Sequence, residues 1–427
     1  TTKSARFNQP SSDYLNRTPS SASNRKTFTF SLWFKLSDFS GDLNILSNNG
    51  ASSTRDYISL ESGKLRVASY SGSYVYNLHT NRLFRDTSAW YHLVVAFDTT
   101  QGTASNRIKI YVNGVQETSF GTASYPSQNL DTNYNNTVLQ EISKDYNGVA
   151  NFFFDGYMSE IIWVDGTQLA PTSFGSTNSD GVWTPIPYSG TFGNNGFNLQ
   201  FENSAALGTD SSPNGNTFTV NNLTSIDQST DYPEVNFANM NPLGSGAVTF
   251  SEGNLQVTKS GNGFLNAIAN IGASSGKFYA EAKAISIGSV TYGSYIGFVN
   301  LDVSNKQNTA DNIGETPADS AGISSGGGYI YYNGQQFTGA TTATTNNDIV
   351  NLAMDLDNGR LYWGINGTYV NSGNPASGAS GTGGMPIANI TAGGTYTFAV
   401  SVRSSATINF NFGNGYFGTT AVSSAGT

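Results

Sequence analysis

Period-two alternation, broken at short intervals by turn-forming residues, limits what this chain can become more than any other feature of it. Phe28, Phe30, Leu32 and Phe34 fall on one face of an extended segment, with Thr27, Thr29, Ser31 and Trp33 on the other. Side chains repeat every two residues in a strand and every 3.6 in a helix, so this stretch reads as a strand with one buried face. Ile108, Ile110 and Val112 alternate with Arg107, Lys109 and Tyr111 and stop at Asn113-Gly114. That pair favours a type I′ turn, where both central residues need positive φ. Asp56–Leu60, the corner Glu61-Ser62-Gly63-Lys64 and Leu65-Arg66-Val67 make a second hairpin. Trp90–Phe97 is almost continuously apolar, which predicts a strand covered on both faces.

The same texture returns after residue 244. Ala280, Ala282 and Ala284 share a face with Phe278; Leu352, Met354 and Leu356, then Phe398, Val400 and Val402, then Ile408, Phe410 and Phe412 repeat the pattern. Asn358-Gly359 and Asn366-Gly367 bracket Arg360–Ile365 as hairpin corners. No helix-period segment with caps competes, beyond a turn near Pro171–Phe174. Between the blocks, Trp183 to Leu243 has turn-formers at short intervals and only brief alternation (Phe197, Leu199, Phe201, then Phe218, Val220). Such a stretch lacks the apolar surface for a core and is expected to run as an extended strap over its neighbours. The fold class is therefore all-β: two antiparallel β-sandwiches at 1–182 and 244–427, joined by a connector at 183–243.

Composition narrows the functions. A length of 427 residues gives each block enough chain for a core. Only 11% of residues are charged and the net charge is −9, with no basic run, which argues against a nucleic-acid partner. The absence of cysteine excludes disulfides, zinc–thiolate sites and thiol nucleophiles, and fits folding in a reducing compartment. No apolar run is long enough for a membrane-spanning helix, and no signal peptide is read at the start. The opening Thr1-Thr2 fits removal of an initiator methionine.

Three runs, FTFSLWFKL, AWYHLVVAFD with NRIKIYVNGVQ, and FFDGYMSEIIWVDGTQL, come in the order found in the laminin-G-like branch of the concanavalin-A-like jelly rolls. Roughly the first 180 residues resemble that family, which implies two stacked antiparallel sheets of about six or seven strands each. The second block resembles the SPRY family. Its motifs are Ser275–Glu281, Tyr295–Phe298, Gly328–Gly334, the run from Asn347 to Gly367, and Ala406–Gly413. That resemblance implies a bent β-sandwich that binds partners through loops, with long loops at Ser372–Gly384 and Ala340–Thr345. A jelly roll, a strap and a SPRY sandwich in one chain together resemble virion structural proteins of marine tailed phages, where such chains serve as tail fibres, spikes or capsid-surface components. Relatives in that group often continue past the equivalent of Gly413–Phe417, so this chain reads as a short or trimmed member.

Glucan hydrolases on the jelly-roll fold need paired carboxylates flanking the sugar bond. Glu160 with Asp165 is the nearest pair, but odd spacing puts them on opposite faces of a regular strand. Asp355 and Asp357 share a face, yet the SPRY resemblance makes them part of a hairpin arm. His79 and His92 are the only imidazoles, and His92 sits in the apolar Trp90 strand as a packing or hydrogen-bonded residue. No G-x-S-x-G elbow stands beside them. The expectation is no catalytic residue and no enzyme. Laminin-G-like relatives often hold one Ca2+ at the sandwich edge, for which Asp98, Asp155 and Asp165 with Asn113 are the oxygens at hand. Without a dense Asp-x-Asp-x-Asn loop these acids are expected to satisfy turns, leaving no metal and no cofactor. Triplets such as Asn222-Leu-Thr224 are chance products of Asn- and Thr-rich text. Tyr70, Tyr74 and Tyr76, with Tyr331 and Tyr332, are the candidate ligand-binding residues, since flat rings with a hydroxyl suit sugar faces or protein contacts.

These readings combine into one expectation: a non-enzymatic virion structural protein of a tailed phage, assembled in the host cytoplasm. Its partners would be other virion proteins and a host surface glycan, with neither nucleic acid nor membrane. A tail-fibre role predicts a homotrimer; a capsid-decorating role allows a free monomer. The alternatives are a polysaccharide-degrading enzyme on the jelly roll and a secreted bacterial lectin or adhesin.

Overall fold

The computed structural model describes residues 2–49, 54–146, 151–243, 248–288, 293–303, 309–315, 319–337, 343–390, 393–417 and 420–421. Residues 340–342 of the predicted second loop, and the last six residues, lie outside them. The chain divides into two units, Thr1–Asn236 and Phe237–Thr427.

In the first unit two antiparallel sheets face each other, eight strands in each among the described residues. That exceeds the six or seven implied by the jelly-roll resemblance, because short strands from either end of the unit extend both sheets. One sheet runs Val115–Gln116, Ile108–Val112, Tyr91–Asp98, Thr27–Leu36, Gly156–Asp165, Ser4–Phe7, Gln228–Ser229, with Phe197–Leu199 also paired to Gly156–Asp165. The other runs Phe120–Ser124, Tyr74–Thr80, Lys64–Ser71, Thr54–Glu61, Asp42–Asn49, Leu139–Ile142, Tyr14–Arg17, Thr219–Asn221. Phe28, Phe30, Leu32 and Phe34 fill the space between the sheets with Val95, Phe97, Leu65, Val67, Leu78 and Trp163. Burial of such alternating apolar faces is the main stabilising term of a sandwich. The hairpin corner at Asn113 (φ 49°) and Gly114 (φ 79°) has the two positive φ values of a type I′ turn.

The Tyr91–Asp98 strand is covered on both faces. Leu93, Val95 and Phe97 point inward, while Val94 packs outside the sheet with Ile162, Val164 and Phe174. Tyr188 and Phe192, from the predicted strap, lie against that outer cluster. Trp183, the first strap residue, packs against Trp33, Trp90 and Tyr157. Up to Asn236 the strap supplies short strands to both sheets of the first unit. Two ion pairs fix its last part: Arg6–Asp227 at 3.0 Å and Lys35–Asp231 at 2.9 Å, all four residues buried.

Among its described residues the second unit also has two large antiparallel sheets, besides a two-stranded one of Tyr416–Phe417 and Thr420–Ala421. One runs Thr249–Ser251, Gln256–Lys259, Ala406–Asn411, Lys277–Ser286, Ile349–Asp355, Arg360–Ile365, Thr368–Tyr369. The other runs Leu265–Ile268, Tyr396–Val402, Tyr295–Asn300, Ser320–Ser324, Ile330–Tyr332, Gln335–Gln336. Ala280, Ala282 and Ala284 lie in the core beneath Trp363, whose indole N–H donates to the Ile296 carbonyl at 2.9 Å. Phe278, at the strand's start, is exposed instead. The Ser372–Gly384 stretch contains short 3-10 turns, and helices elsewhere among the described residues are of that kind. No helix among them is long and apolar enough to cross a membrane.

Candidate functional site

The outer face of the second sheet of the first unit carries an open cluster of charge and aromatic rings. It arises from simple alternation. Arg55, Tyr57, Ser59 and Glu61 occupy every second position of Thr54–Glu61, and antiparallel pairing sets Ser59 opposite Arg66 and Arg55 opposite Tyr70. Arg55, Tyr57, Ser59, Glu61 and Arg66 bound a cleft of about 180 Å3 together with Asp42, Asn44, Tyr74 and Asp145. Two guanidiniums thus face three carboxylates.

The geometry is tightly cross-linked. Arg66 Nη1 lies 2.6 Å from Glu61 Oε2 and donates to the Tyr74 hydroxyl at 3.0 Å. Arg55 Nε lies 3.1 Å from Asp145 Oδ2, and its guanidinium sits 5.0 Å from the centre of the Tyr57 ring. Tyr57 OH donates to Tyr74 OH at 3.4 Å. Burial, then the Tyr74 contact and the Glu61 charge, holds the Tyr57 hydroxyl well above the ordinary phenol range. Burial, reinforced by Asp42, also raises the Glu61 carboxyl despite its pairing with Arg66. For Arg66 burial acts downward, but Glu61, Tyr57 and Tyr74 outweigh it and hold the guanidinium charged. Burial and the nearby Arg66 and Lys64 charges lower the His79 imidazole at the cluster's edge.

Of the five tyrosines singled out in the sequence, one, Tyr74, lines this cleft, and Tyr70 packs beside it. Tyr70 and Tyr74 meet edge to face with ring centres 5.5 Å apart, and Tyr74 is 45% exposed. Tyr76 is a correction: it is 0% exposed and packs on Phe97 in the core. Regular alternation would put Tyr74 and Tyr76 on one face, but the register shifts here, Tyr70 facing Tyr74 while Ser69 faces Tyr76. The bulge turns one ring out and the other in. Tyr331 and Tyr332 lie in the second unit on opposite faces of one strand. Tyr331 packs beside Tyr295, and Tyr332 against the core next to Phe337.

The remaining candidates are engaged locally. The register of Gly156–Asp165 shifts between Ser159 and Ile162, and Glu160 there has φ 48°, so the strand is not regular where the parity argument needed it. Gln200 Nε2 donates to Glu160 at 3.5 Å; Asp165 accepts from the Asn24 and Asn195 backbone amides and from Asn135 Nδ2. Asp355 receives both the backbone and side-chain N–H of Asn358, and Asp357 caps Gly276 N. Asp98 binds Thr100 and Gln101 across its own turn, and Asn113 Oδ1 accepts from His92 N. Asp155 accepts from Ser37 N through its backbone carbonyl. Among the described residues no three His, Cys, Asp or Glu side chains group as metal ligands would.

His92 is fully buried. Trp183 Nε1–H donates to its Nδ1 at 2.9 Å, so the ring proton resides on Nε2, which meets Ser31 Oγ at 2.9 Å. The ring stacks on Trp33 at 4.6 Å, and burial pushes its pKa down to about 3. This is a neutral imidazole pinned on both nitrogens, with no lone pair left for a substrate.

The sequence reading missed Arg55, Tyr57, Glu61 and Arg66. Their signal was present, since the hairpin carrying them was recognised and its outward positions alternate charge with aromatic rings.

Comparison with known proteins bears on each unit separately. Residues 9–170 match the family described as the concanavalin A-like lectin/glucanases superfamily. No curated protein matches the chain. Among solved structures, the SPRY domain of human HERC1 aligns at 16% identity over 37% of this chain and 89% of its own, with a TM-score of 0.28. A heptameric SAP-like pentraxin from Limulus polyphemus aligns at 15% identity over 39% and 77%, TM-score 0.30. The Ruminococcus gnavus IT-sialidase CBM40, bound to alpha2,3 sialyllactose, aligns at 13% identity over 32% and 75%, TM-score 0.24. The cleft lies wholly within the matched residues, and the unit that carries it contains a concanavalin A-like, laminin-G-like jelly roll.

Proposed function

We propose that this chain is a non-enzymatic adhesion component on the surface of a tailed-phage particle, and that the jelly-roll cleft binds a host surface glycan. The observation that carries the glycan reading is the cleft itself: an exposed Tyr74 ring beside Arg55, Arg66 and Glu61 on a rigid sheet. Flat rings cover the apolar face of a sugar, while guanidinium and carboxylate groups donate to and accept from its hydroxyls. The superfamily match over residues 9–170 is compatible with it. The phage assignment rests on the order of jelly roll, connector and SPRY-like sandwich. Contacts of this size are individually weak, and many copies on one particle would supply avidity.

Two experiments test the reading. The full chain is applied to a broad glycan array and the best hit titrated by calorimetry; Tyr74→Ala and Arg55→Ala are expected to weaken it about tenfold or more, a loss of about 1.4 kcal/mol. An empty array, or unchanged affinity in both variants, removes the glycan reading. Cryo-electron microscopy of purified particles expects density for this chain on the virion; particles without it remove the phage reading. Release of reducing ends from any polysaccharide bound would overturn the non-enzymatic assignment.

A further inference from the structure

Lys35 points away from the sandwich core and yet sees no solvent: it is 0% exposed. Its Nζ lies 2.9 Å from Asp231 Oδ2 and 2.8 Å from Asn236 Oδ1. Asp231 is equally buried, and its second oxygen accepts the Trp90 indole N–H at 2.9 Å. Tyr157, directly opposite Lys35 on the neighbouring strand, belongs with Trp33 and Trp90 to the buried aromatic cluster beside it. Asn236 is held in one orientation, because its Nδ2 donates to the Ser88 carbonyl at 2.7 Å. Its carbonyl oxygen therefore faces the amine and its nitrogen faces the exposed side. A need for stability explains this arrangement poorly, since apolar residues of similar volume usually hold a core at least as well as a buried ion pair.

We propose that Lys35 and Asn236 condense to an intramolecular isopeptide bond, with Asp231 as the proton-transfer group. Proton transfer along the Lys35–Asp231 contact gives a neutral amine and a neutral acid, a pair that burial disfavours far less than two ions. Nζ lies 2.8 Å from Asn236 Oδ1, so it is at most one carbonyl bond, about 1.2 Å, farther from Cγ. Nζ attacks Cγ, forming the new C–N bond; the Cγ–Nδ2 bond breaks, and Nδ2 takes the amine's proton to leave as ammonia toward the exposed Ser88 side. Asp231 passes its proton to that ammonia and returns to a carboxylate. Overall, an ammonium and a primary amide become a secondary amide and an ammonium ion, with no oxidant or co-reactant.

The bond's position gives it a use. Asn236 is the last residue of the first unit, and Lys35 lies on Thr27–Leu36, an interior strand flanked by Tyr91–Asp98 and Gly156–Asp165. A pull on the chain beyond residue 236 would pass directly into that strand instead of peeling off the two-residue Gln228–Ser229 strand. A chain without cysteine has no disulfide for the purpose.

The test is the intact mass of the full chain under denaturing conditions, followed by tryptic mapping. The expected result is a mass one ammonia below that of the sequence, resistance to trypsin after Lys35, and one joined peptide containing both Lys35 and Asn236. Asn236→Ala, a change at an exposed side chain that leaves the fold intact, should show its full sequence mass and no joined peptide. Asp231→Asn should leave both partners unreacted. A folded wild-type chain at its full sequence mass overturns the proposal. So does a mass loss of one ammonia without the joined peptide, which would mark a succinimide at Asn236.

Discussion

The two units bury polar groups by different chemistry. In the first, the end of the connector is fastened by a buried pair of full charges, Arg6 to Asp227, across 221 residues of chain. In the second, the half-buried network on the outer face of its first sheet relies on hydroxyl and amide groups around one buried carboxylate. Tyr279 OH donates to Glu281 at 2.8 Å, Asn351 Nδ2 donates to Tyr279 OH at 2.7 Å, and Asn411 Nδ2 donates to Glu281 at 3.3 Å. The Lys277–Asp355 pair of that unit has its lysine half open to solvent and spans 3.5 Å. Strands already aligned by their ladders need only directional hydrogen bonds to finish a face. A distant segment with few ladder bonds needs an attachment whose wrong pairings are expensive, and buried charges supply that penalty.

Removing one member of each network separates the two cases most sharply. Asp227→Ala leaves the buried Arg6 guanidinium without that carboxylate, and the first unit should lose about 3–5 kcal/mol. Glu281→Gln keeps the shape of the second network and one of the two acceptor oxygens, and should cost about 1 kcal/mol. Chemical denaturation, with tryptophan fluorescence for one unit and hydrogen exchange for the other, reads both losses. Equal losses would end the comparison.

The pH response sharpens it further, because both histidines lie in the first unit. His92 titrates near 6.5 when unfolded and near 3 when folded, so below pH 6.5 the unfolded chain binds the extra proton. Stability from this group is complete above pH 6.5 and falls by up to about 1.4 kcal/mol per pH unit as the pH drops toward 3. Asp56 and Glu61, raised mainly by burial, act in the opposite sense above the usual carboxylate range. In the second unit Asp348 and Asp355 are lowered: burial acts upward, but hydrogen bonds from Thr345 and Asn366, and from Asn358 with Lys277, outweigh it. Their contribution persists above the usual carboxylate range and is lost only below about pH 4. Between pH 6.5 and 5, therefore, the His92 contribution to the first unit should fall while the second unit holds, and His92→Gln should remove that part of the first unit's response. Calorimetric scans at stepped pH check this.

The connector explains what the sequence could and could not disclose. Both sandwiches were readable because alternation and Asn-Gly corners are local, and each predicted hairpin corner at Asn113-Gly114 and Ser62-Gly63 has positive φ at both residues. Attachment of residues 183–236 to the first unit was not readable, since the strap's partners are single residues far away in sequence. Trp183 shows why. Its ring lies between two glycines, and an added Cβ would come within 2.7 Å of it at Gly114 and 2.6 Å at Gly175. A glycine kept free of side chain to admit a distant ring looks in the sequence like any turn glycine. Gly175→Ala, where φ is not restrictive, should destabilise the first unit by about 1–3 kcal/mol through overpacking. The comparable change at Gly364 meets only side-chain and carbonyl atoms at 3.2 Å or more and should cost less. The same blindness hid which tyrosine faces the cleft: a single bulge sends Tyr76 inward and Tyr74 outward, which parity alone could not foresee.

The smallest effect on stability should accompany the largest effect on binding. Tyr74 is 45% exposed, and its removal leaves no cavity, so Tyr74→Ala should change the stability of the first unit by no more than about 0.5 kcal/mol. Tyr331 in the second unit is packed at 5.8 Å from Tyr295 and near Phe264, and Tyr331→Ala should cost about 1 kcal/mol or more from lost ring contacts. Glycan affinity should behave in the reverse order, falling in Tyr74→Ala and holding in Tyr331→Ala. If Tyr331→Ala were the variant that lost binding, the recognition face would lie on the second unit, and the Arg55–Arg66 cleft would be a structural feature of the jelly roll. A surface ring that binds can be deleted without harm to the fold because the sheet beneath it, fixed by its own core, holds the neighbouring arginines in place without it.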